Sequence, residues 1–461
     1  MQSARTTNRL IGKPGVHVAL VVVAVAVAFA DSSIVVLALP ELYTRFHTTI
    51  VRVSWVVTAY NAAVAVAALA LVVFVHRLRA VTVLASGLVV FIAASIACSA
   101  ANSLWFLVAA RSVQGVGAAL LLAGSLPVLT ALTGSTLRGA TVWTLAGTFG
   151  AALGPALGGA VTQAFGWRAI FAVQAPLAAL GLVAVLAVRT APVLEEGWQP
   201  SLVRSVPSNL CIGLLFGALV GVLFLSVLLV ITAWGYSPIE GAAIVSVLPA
   251  ATLAARPLER RLPKLTAVYG GAALLALGLV ELALLPSASV GFTTAALMFC
   301  GVGLGLSIPV LSDAALDLGA GLSRSGTLTI GVRHLGLVVA LALIAPLLAH
   351  ELPPAGHRAE LRATAVLLDA PIRLSSKIPV ALDARTEFAR AQTGEIPDLA
   401  KPFDAHGAKH DPKLAAVRDE LVGTIKDTIT RAFRSSFLLS AGLAVAALAV
   451  AFVFRRRGVV R

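Results

Sequence analysis

Two oppositely charged residues stand almost alone in long apolar stretches of the chain. Asp31 lies near the end of the first stretch, and Arg111 lies in a later one, with Gln114 three residues further on. A charge at membrane depth costs about 2.5–3.5 kcal/mol on insertion scales, so it usually faces a partner or a cavity. Burial favours the neutral carboxyl group, whereas a nearby arginine favours the carboxylate. That competition suits a group that binds and releases a proton; the alternative is a fixed ion pair that only orients helices.

The predicted helices place these residues at a similar depth. The first span is predicted over 16–40 and the fourth over 104–132. Asp31 then lies about 13 Å from Pro40, and Arg111 lies about 10 Å from Leu104, at 1.5 Å per residue. We therefore expect Asp31 and Arg111 to be neighbours, with Gln114 as a hydrogen-bonding partner.

Composition excludes a soluble protein. Of 461 residues, 59% are hydrophobic and 12% are charged, against about 25% charged in soluble domains. Runs of about 20 apolar residues span a bilayer. The chain is predicted to be an all-α polytopic membrane protein with twelve transmembrane helices in two six-helix bundles. The predicted parts are an N-terminal bundle (1–190), a cytoplasmic linker (191–207), helices 7–11 (208–350), an extracytoplasmic domain (351–434), and helix 12 with a basic tail (435–461).

The net charge of +14 indicates orientation rather than nucleic-acid binding. Residues 351–434 are nearly neutral, with 13 basic and 12 acidic groups. Of the other 22 basic residues, 17 fall in segments that are cytoplasmic if the N-terminus lies inside, as the positive-inside rule requires. We predict a multi-pass protein of the plasma (inner) membrane, surrounded by lipid, with both termini cytoplasmic. Residues 1–30 also resemble a secretory signal, but the apolar run continues to Pro40 and favours a first span.

Four of the six tryptophans fall at the predicted outer boundaries of spans, where an interfacial aromatic belt would place them. They are Trp55, Trp105, Trp167 and Trp234.

Two glycine-containing motifs resemble signatures of the major facilitator superfamily, specifically its proton-coupled multidrug antiporters. The first motif, R-x-x-Q-G-x-G-A-A, begins at Arg111; the second, G-x-x-x-G-P-x-x-G-G, covers Gly150, Gly154, Pro155, Gly158 and Gly159. The segments D-S-S-I-V-V-L-A-L-P and W-R-x-I-F-x-x-Q-x-P (Trp167 to Pro176) are similar too. The resemblance implies a carboxylate at Asp31 that binds a proton or the substrate, and a helix-5 pivot at the glycines. Within that group the chain resembles the fourteen-helix subgroup. Its linker leads straight into helix 7, however, so twelve spans are predicted.

One loop departs from that pattern. Family members carry G-x-L-A-D-R-x-G-R between helices 2 and 3 as a gating lock, but this chain has only His76, Arg77 and Arg79 there. Charged residues after helix 8, including Arg256 and Glu259, are candidate substitutes.

The remaining charged residues in the spans are weaker candidates. Asp313 and Asp317 are four residues apart at the end of helix 10, which is predicted over 289–312. Helix 11 is predicted over 326–349, and its Arg333 is expected at a similar depth, which favours a cytoplasmic salt bridge over a second proton site. Glu281 in helix 9 is a possible second acid.

The chain has no predicted metal site. His406 and His410 have i,i+4 spacing, but Gly407 and Pro412 argue against a helix there. The three cysteines lie inside apolar runs and are expected to be packing residues. No cofactor is expected beyond a proton gradient.

We therefore predict a monomeric secondary transporter, not an enzyme, that exports small hydrophobic or amphipathic compounds, cationic ones among them, by proton antiport. One alternative is export of lipid or lipid-linked molecules, with 351–434 sheltering an acyl chain. Another is a non-transporting scaffold or sensor, motivated by the missing loop motif.

Overall fold

The structure, a computed structural model, describes residues 14–187, 202–316, 322–391, 395, 397–406, 408 and 411–455. Twelve helices within these ranges are long and apolar enough to cross a membrane. In lipid every backbone N–H and C=O must be satisfied within the protein, so apolar runs of this length fold as helices. In chain order they are α1 (Pro14–Val36), α2 (Ile50–Phe74), α3 (Ala80–Ser99), α4 (Leu104–Thr133), α5 (Thr136–Phe165), α6 (Trp167–Ala187), α7 (Leu202–Val227, continued by a π-helical turn at Leu228–Ala233), α8 (three short pieces, Pro238–Val245, Val247–Ala254 and Arg256–Glu259), α9 (Lys264–Ala283), α10 (Val290–Ala315), α11 (Leu322–Asp369) and α12 (Arg434–Arg455).

Helices α1–α6 pack mainly on one another, as do α7–α12, which gives two halves. The halves meet along two principal helix pairs, α2 with α11 and α5 with α8. Small residues allow these approaches: the backbone of Gly331 in α11 lies against Leu69 of α2, and Gly159 in α5 lies against Ala242 of α8. Close contact between backbones at small residues is how helices associate in lipid.

A helical extension, formed by the last part of α11 and the helix Pro412–Thr430, projects from one end of the bundle. We call that end of the bundle the extension face. Helix α11 continues for 20 residues beyond its predicted end at 349, through Pro346, Pro353 and Pro354, to Asp369. A proline removes one backbone donor and bends a helix, but it does not end a helix that a neighbour holds in place. The neighbour is the helix Pro412–Thr430, which leads into α12. The buried positions that pack between the two helices follow a spacing of three and four residues: Leu352, Ala355, Ala359, Ala363 and Leu367 on α11, with Leu414, Val417, Leu421 and Ile425 opposite.

Two hydrogen bonds fix the base of the extension. Trp234 at the end of α7 donates its ring N–H to Thr430 Oγ1 at 2.9 Å, and Ala288 donates its backbone N–H to Asp427 Oδ1 at 2.7 Å. On the other half, burial and the nearby Glu395 carboxylate raise the pKa of Tyr43 to about 12. The extension is therefore anchored on the α7–α12 half and approaches the other half near Tyr43.

Several predicted boundaries were wrong. Helix α1 ends at Val36, and a separate short helix, Leu39–Arg45, follows it. Helix α7 begins at Leu202, so 202–207 are helical rather than linker; residues 191–201 lie outside the described residues. Pro40 lies in the first turn of its short helix, where the missing N–H is tolerated, whereas Pro207 lies inside α7, where it removes one backbone hydrogen bond.

Only two of the four tryptophans predicted to form an interfacial belt are exposed. Trp55 and Trp105 are 44% and 59% exposed on the surface of the bundle, as a belt residue should be. Trp167 and Trp234 are instead 2% exposed. Trp167 packs edge-on against Phe171, and Trp234 makes its bond to the extension, so protein contacts replace lipid for these two.

Glu41 provides a test of how two helices of the first half are joined at the extension face. Its carboxylate accepts the backbone N–H of Trp167 at 3.0 Å, which joins the short helix Leu39–Arg45 to the start of α6. Burial raises the pKa of Glu41 above its ordinary value, against the opposing effects of the Trp167 N–H, Arg168 and Arg45. The folded protein therefore binds this proton more tightly than the unfolded chain, and the stability contributed by the residue falls as pH rises through the raised pKa.

We expect Glu41→Gln to melt at or above the wild-type temperature at pH 7, because it keeps an oxygen acceptor without the charge. The difference should vanish at a pH below the raised pKa. Glu41→Ala leaves the Trp167 N–H unpaired and should lower stability by about 1 kcal/mol. Thermal unfolding of the purified protein in detergent checks this, and equal melting of the Gln and Ala variants at pH 7 would contradict it.

Candidate functional site

The structure brings Asp31 and Arg111 together in the interior of the first half. Arg111 Nη1 lies 2.6 Å from Asp31 Oδ2, and both side chains are fully buried. Asp31 is on α1, five residues before its end, and Arg111 is on α4, seven residues from its start. Burying an ion pair costs several kcal/mol per ion unless further hydrogen bonds satisfy both groups.

Glutamine side chains supply those bonds. Gln174 of α6 donates to Asp31 Oδ1 at 2.8 Å, and Gln114 accepts from Arg111 Nη1 at 2.6 Å. Gln114 in turn donates to Gln174 Oε1 at 2.7 Å and to Ser95 Oγ at 2.8 Å. The result is a closed polar network across α1, α3, α4 and α6, with Gln114 at its centre, where the sequence predicted a hydrogen-bonding neighbour.

Arg111 is also held by α2. Its Nε donates to the backbone carbonyl of Val56 at 3.0 Å, and its guanidinium carbon lies 4.1 Å from the centre of the Tyr60 ring. A cation over an aromatic face gains about 0.5–2 kcal/mol. Arg111 Nη2 remains buried without a hydrogen-bond partner in the structure. The pair is thus well oriented, but one donor is left unsatisfied.

A second polar network crosses the interface between the halves. His334 Nδ1 of α11 lies 2.7 Å from Asn61 Oδ1 of α2, and Ser32 of α1 donates to the same oxygen at 3.0 Å. His334 is 1% exposed, and its Nε2 has no hydrogen-bond partner in the structure. The two networks adjoin, because Ser32 follows Asp31 in α1 and Asn61 follows Tyr60 in α2.

A cavity of about 150 Å³ lies between the halves. Helices α1, α5, α7, α8, α10 and α11 contribute its lining. Most of the lining is apolar, with a few hydroxyl groups, including those of Ser32, Ser33 and Thr329. The lining also contains Arg333 and the Trp143 ring. This is the arrangement of a small-molecule site, in which few polar groups orient a mainly apolar ligand.

Asp31 does not line the cavity; Ser32 and Ser33 do. Ser33 donates to the backbone carbonyls of Ala30, at 2.9 Å, and of Ala151 in α5, at 3.2 Å. The predicted proton-exchanging carboxylate is therefore adjacent to the cavity along the chain but closed off from it in this conformation.

The structure does not bring Asp313 and Arg333 together. Asp313 is two residues from the end of α10, about 3 Å, whereas Arg333 is eleven residues into α11, about 16 Å. Asp313 is exposed, and the cations that act on it are Arg256 and Lys264. Asp317 lies outside the described residues. The expected similar depth was wrong because α11 begins at Leu322, four residues before its predicted start.

Arg333 instead lies in the cavity wall between two aromatic rings. Its guanidinium carbon is 4.6 Å from the centre of the Phe29 ring on α1 and 4.1 Å from that of Phe216 on α7. Glu281, the possible second acid, is half-buried near Cys300 on α10 and does not line the cavity.

The glycine motif of α5 serves two contacts. An added Cβ would overlap the Ala26 backbone at Gly150, the Ser33 side chain at Gly154 and the Ile34 backbone at Gly158, so these three glycines seat α5 on α1. At Gly159 it would overlap Ala242 and approach the Pro238 carbonyl of α8, in the other half. Pro155 lies inside the helix and lines the cavity.

Within the described residues, no three side chains of the metal-binding types come close enough to hold an ion. His406 Nε2 lies 2.9 Å from Asp383 Oδ2, and His410 lies outside the described residues.

Gln174, Tyr60, Asn61 and His334 were not predicted as site residues. Gln174 lies in the segment from Trp167 to Pro176, and Asn61 and His334 are isolated polar residues in apolar runs, which is the criterion that selected Arg111. Applying that criterion to uncharged residues would have found them.

The fold and the cavity define a polytopic helical membrane protein whose two halves enclose a central chamber. The family model described as Major Facilitator Superfamily matches residues 21–352, and the chain belongs to that family. Its members are transporters rather than enzymes, in agreement with the sequence prediction.

Relatives of this chain carry resistance names. The chain is 32% identical over 171 residues to the methylenomycin A resistance protein of Streptomyces coelicolor, a match that covers 36% of each chain. It is 35% identical over 164 residues to the multidrug resistance protein Stp of Mycobacterium tuberculosis, covering 34% of this chain and 30% of that one. The chain thus spans about a third of the length of these relatives. A solved structure of a bacterial homologue of the human lysosomal transporter Spinster superposes with a TM-score of 0.66 and 13% identity, over 96% of this chain and 97% of that chain, which shows the shared fold.

The contact of Gly159 with α8 gives a test of how the extension face is held closed. A valine there overlaps α8, so we expect Gly159→Val to separate the ends of α5 and α8. Spin labels would be attached to cysteines introduced at Gln163 and Ile239, which are both exposed. The distance between the labels, measured by pulsed electron paramagnetic resonance, should be longer in Gly159→Val than in the protein with glycine. The native Cys98, Cys211 and Cys300 are buried and should not label.

Gly270→Val is the matched control, because an added Cβ there meets open space. It should leave the distance unchanged. An unchanged distance in Gly159→Val would show that this contact does not hold the face closed.

Proposed function

We propose that this chain is a secondary transporter that exports amphipathic compounds in exchange for protons by alternating access. The observation that carries the proposal is the fully buried pair of Asp31 and Arg111. Asp31 directly precedes the two serines of α1 that line the central cavity. The resistance and efflux names of the relatives support the same cargo class.

Proton exchange takes place at the Asp31 carboxylate. Protonation removes its charge and weakens its hold on Arg111, whose Nη2 already lacks a partner. Gln174 and Gln114 remain as neutral hydrogen-bonding groups, so they orient whichever form of the pair is present. In the conformation described here the pair is sealed from the cavity, and it gains access to water only when the halves rock.

Two parts of the interface accommodate that rocking. The Gly159 contact of α5 with α8 closes the extension face, and the α2–α11 contact carries the Asn61–His334 bond at its centre. A hydrogen bond between halves at mid-membrane can act as the pivot, because the ends of the helices move more than their middles.

We propose that the extension lies outside the plasma membrane and that both termini are cytoplasmic. The distribution of basic residues supports this orientation. Cargo then enters the cavity from the cytoplasmic side and leaves beside the extension.

The lipid-export alternative stays a prediction. Its basis was an outer segment that could shelter an acyl chain, but the apolar faces of α11 and Pro412–Thr430 are occupied by each other. The scaffold alternative is weakened by membership of a transporter family and by the cavity between the halves.

Asp31→Asn tests the proton step. Everted membrane vesicles containing the chain are energised, and the pH gradient is followed with an acridine dye while amphipathic compounds (ethidium, Nile red and 1-naphthoate) are added in turn. Wild-type protein should collapse part of the gradient with at least one compound, and Asp31→Asn should not, because the amide cannot exchange a proton.

Glu281→Gln provides the control, since it removes a carboxylate from a span without touching the network. It should retain the wild-type response. A full response in Asp31→Asn would remove this residue from the scheme, and no response to any compound in the wild type would contradict proton antiport of this cargo class.

A further inference from the structure

Arg333 is the one ionisable side chain among the described residues that line the cavity. It forms no salt bridge with a carboxylate of the described ranges, and its Nε is buried without a hydrogen-bond partner. Its guanidinium is held between the Phe29 and Phe216 rings, one from each half. The rings fix the position of the charge without neutralising it.

The contrast with Arg111 shows what is missing. Arg111 has a carboxylate at 2.6 Å and a glutamine oxygen, so its charge is compensated inside the protein. Arg333 has only the faces of two rings, which offset a small part of the cost of removing a cation from water. The cavity therefore carries an uncompensated positive charge, and its other polar groups are neutral.

We propose that the cavity binds organic monoanions: an oxyanion head, such as a carboxylate, on the Arg333 guanidinium, and a compact apolar body against the surrounding aliphatic and aromatic side chains. Arginine presents paired donors that match an oxyanion in a bidentate arrangement. A volume of about 150 Å³ is of the size that holds a benzene-like molecule in other proteins, so the apolar body is small in this conformation.

This inference rests on the proposed export function and refines its cargo. It reverses the sequence expectation that cationic compounds are included, because a fixed positive charge repels them. The anion also links cargo to the conformational change, since Arg333 contacts α1 of one half through Phe29 and α7 of the other through Phe216. An oxyanion that draws the guanidinium away from Phe29 alters a contact between the halves.

The test compares three probes that share one ring system and differ in charge: 1-naphthoate, neutral 1-naphthamide and 1-naphthylmethylammonium. Their Kd values for the full chain in lipid nanodiscs are measured by saturation-transfer difference NMR, with empty nanodiscs subtracted. Wild-type protein should bind naphthoate at least about 10-fold more tightly than the other two. Arg333→Gln should weaken naphthoate binding by about 10- to 100-fold, the loss of a charge-assisted contact, and leave naphthamide unchanged. Arg333→Lys, which keeps the charge but not the paired donors, should bind naphthoate more weakly than wild type and still prefer it over naphthamide.

Absence of a preference for naphthoate in the wild type overturns the inference, as does unchanged naphthoate affinity in Arg333→Gln. If Arg333→Gln does not fold, as judged by melting and gel filtration, the wild-type preference and the Lys variant decide. Binding is measured without a gradient, so it is independent of proton coupling. Asp31→Asn protein that loses coupled flux should still select naphthoate, whereas coupled flux of ethidium without anion selectivity would retain the proposed function and reject this inference.

Discussion

The ion pair of Asp31 and Arg111 constrains the whole first half of this protein. Two charges without access to water are tolerated only if other groups satisfy them, and four helices supply those groups: Gln174 from α6, Gln114 from α4, Ser95 from α3 through Gln114, and the Val56 carbonyl and Tyr60 ring from α2. Moving α2, α4 or α6 independently takes a direct partner from a buried charge, and leaving such a charge unsatisfied costs several kcal/mol. The half therefore behaves as a unit, which is what rocking of rigid halves requires.

The second half is organised differently around its own arginine. Arg333 has aromatic rings where Arg111 has a carboxylate, and it faces the cavity rather than the packed interior. One half thus holds an ion pair whose charges compensate each other, and the other half holds an arginine without an acidic partner among the described residues. Asn61 and His334 join the two halves across the interface, next in sequence to Tyr60 and Arg333. In the proposed function, proton and cargo would bind at these adjacent but separate groups.

The sequence was sufficient for the class of fold and for part of the site. Apolar run length determines the spans, since lipid permits few other structures, and a lone charge in such a run indicates a partner. The partners of those charges were harder to predict from the sequence. Gln174 and His334 are uncharged and sit on helices far away in sequence, and nothing local signals which oxygen each will meet. Arg333 was assigned to Asp313 because a four-residue error in the start of α11 changes its depth by about 6 Å.

The extension shows a similar limit, since the residues after 349 were predicted to be too polar for the span to continue, whereas α11 runs on to Asp369 against its partner Pro412–Thr430. That continuity has a mechanical consequence. From His350 to Asp369 the extension reaches about 28 Å past the end of the predicted span. Hydrogen bonds of Trp234 and Asp427 attach its base to the second half. A tilt of that half would therefore displace the tip of the extension further than it displaces the residues that line the cavity.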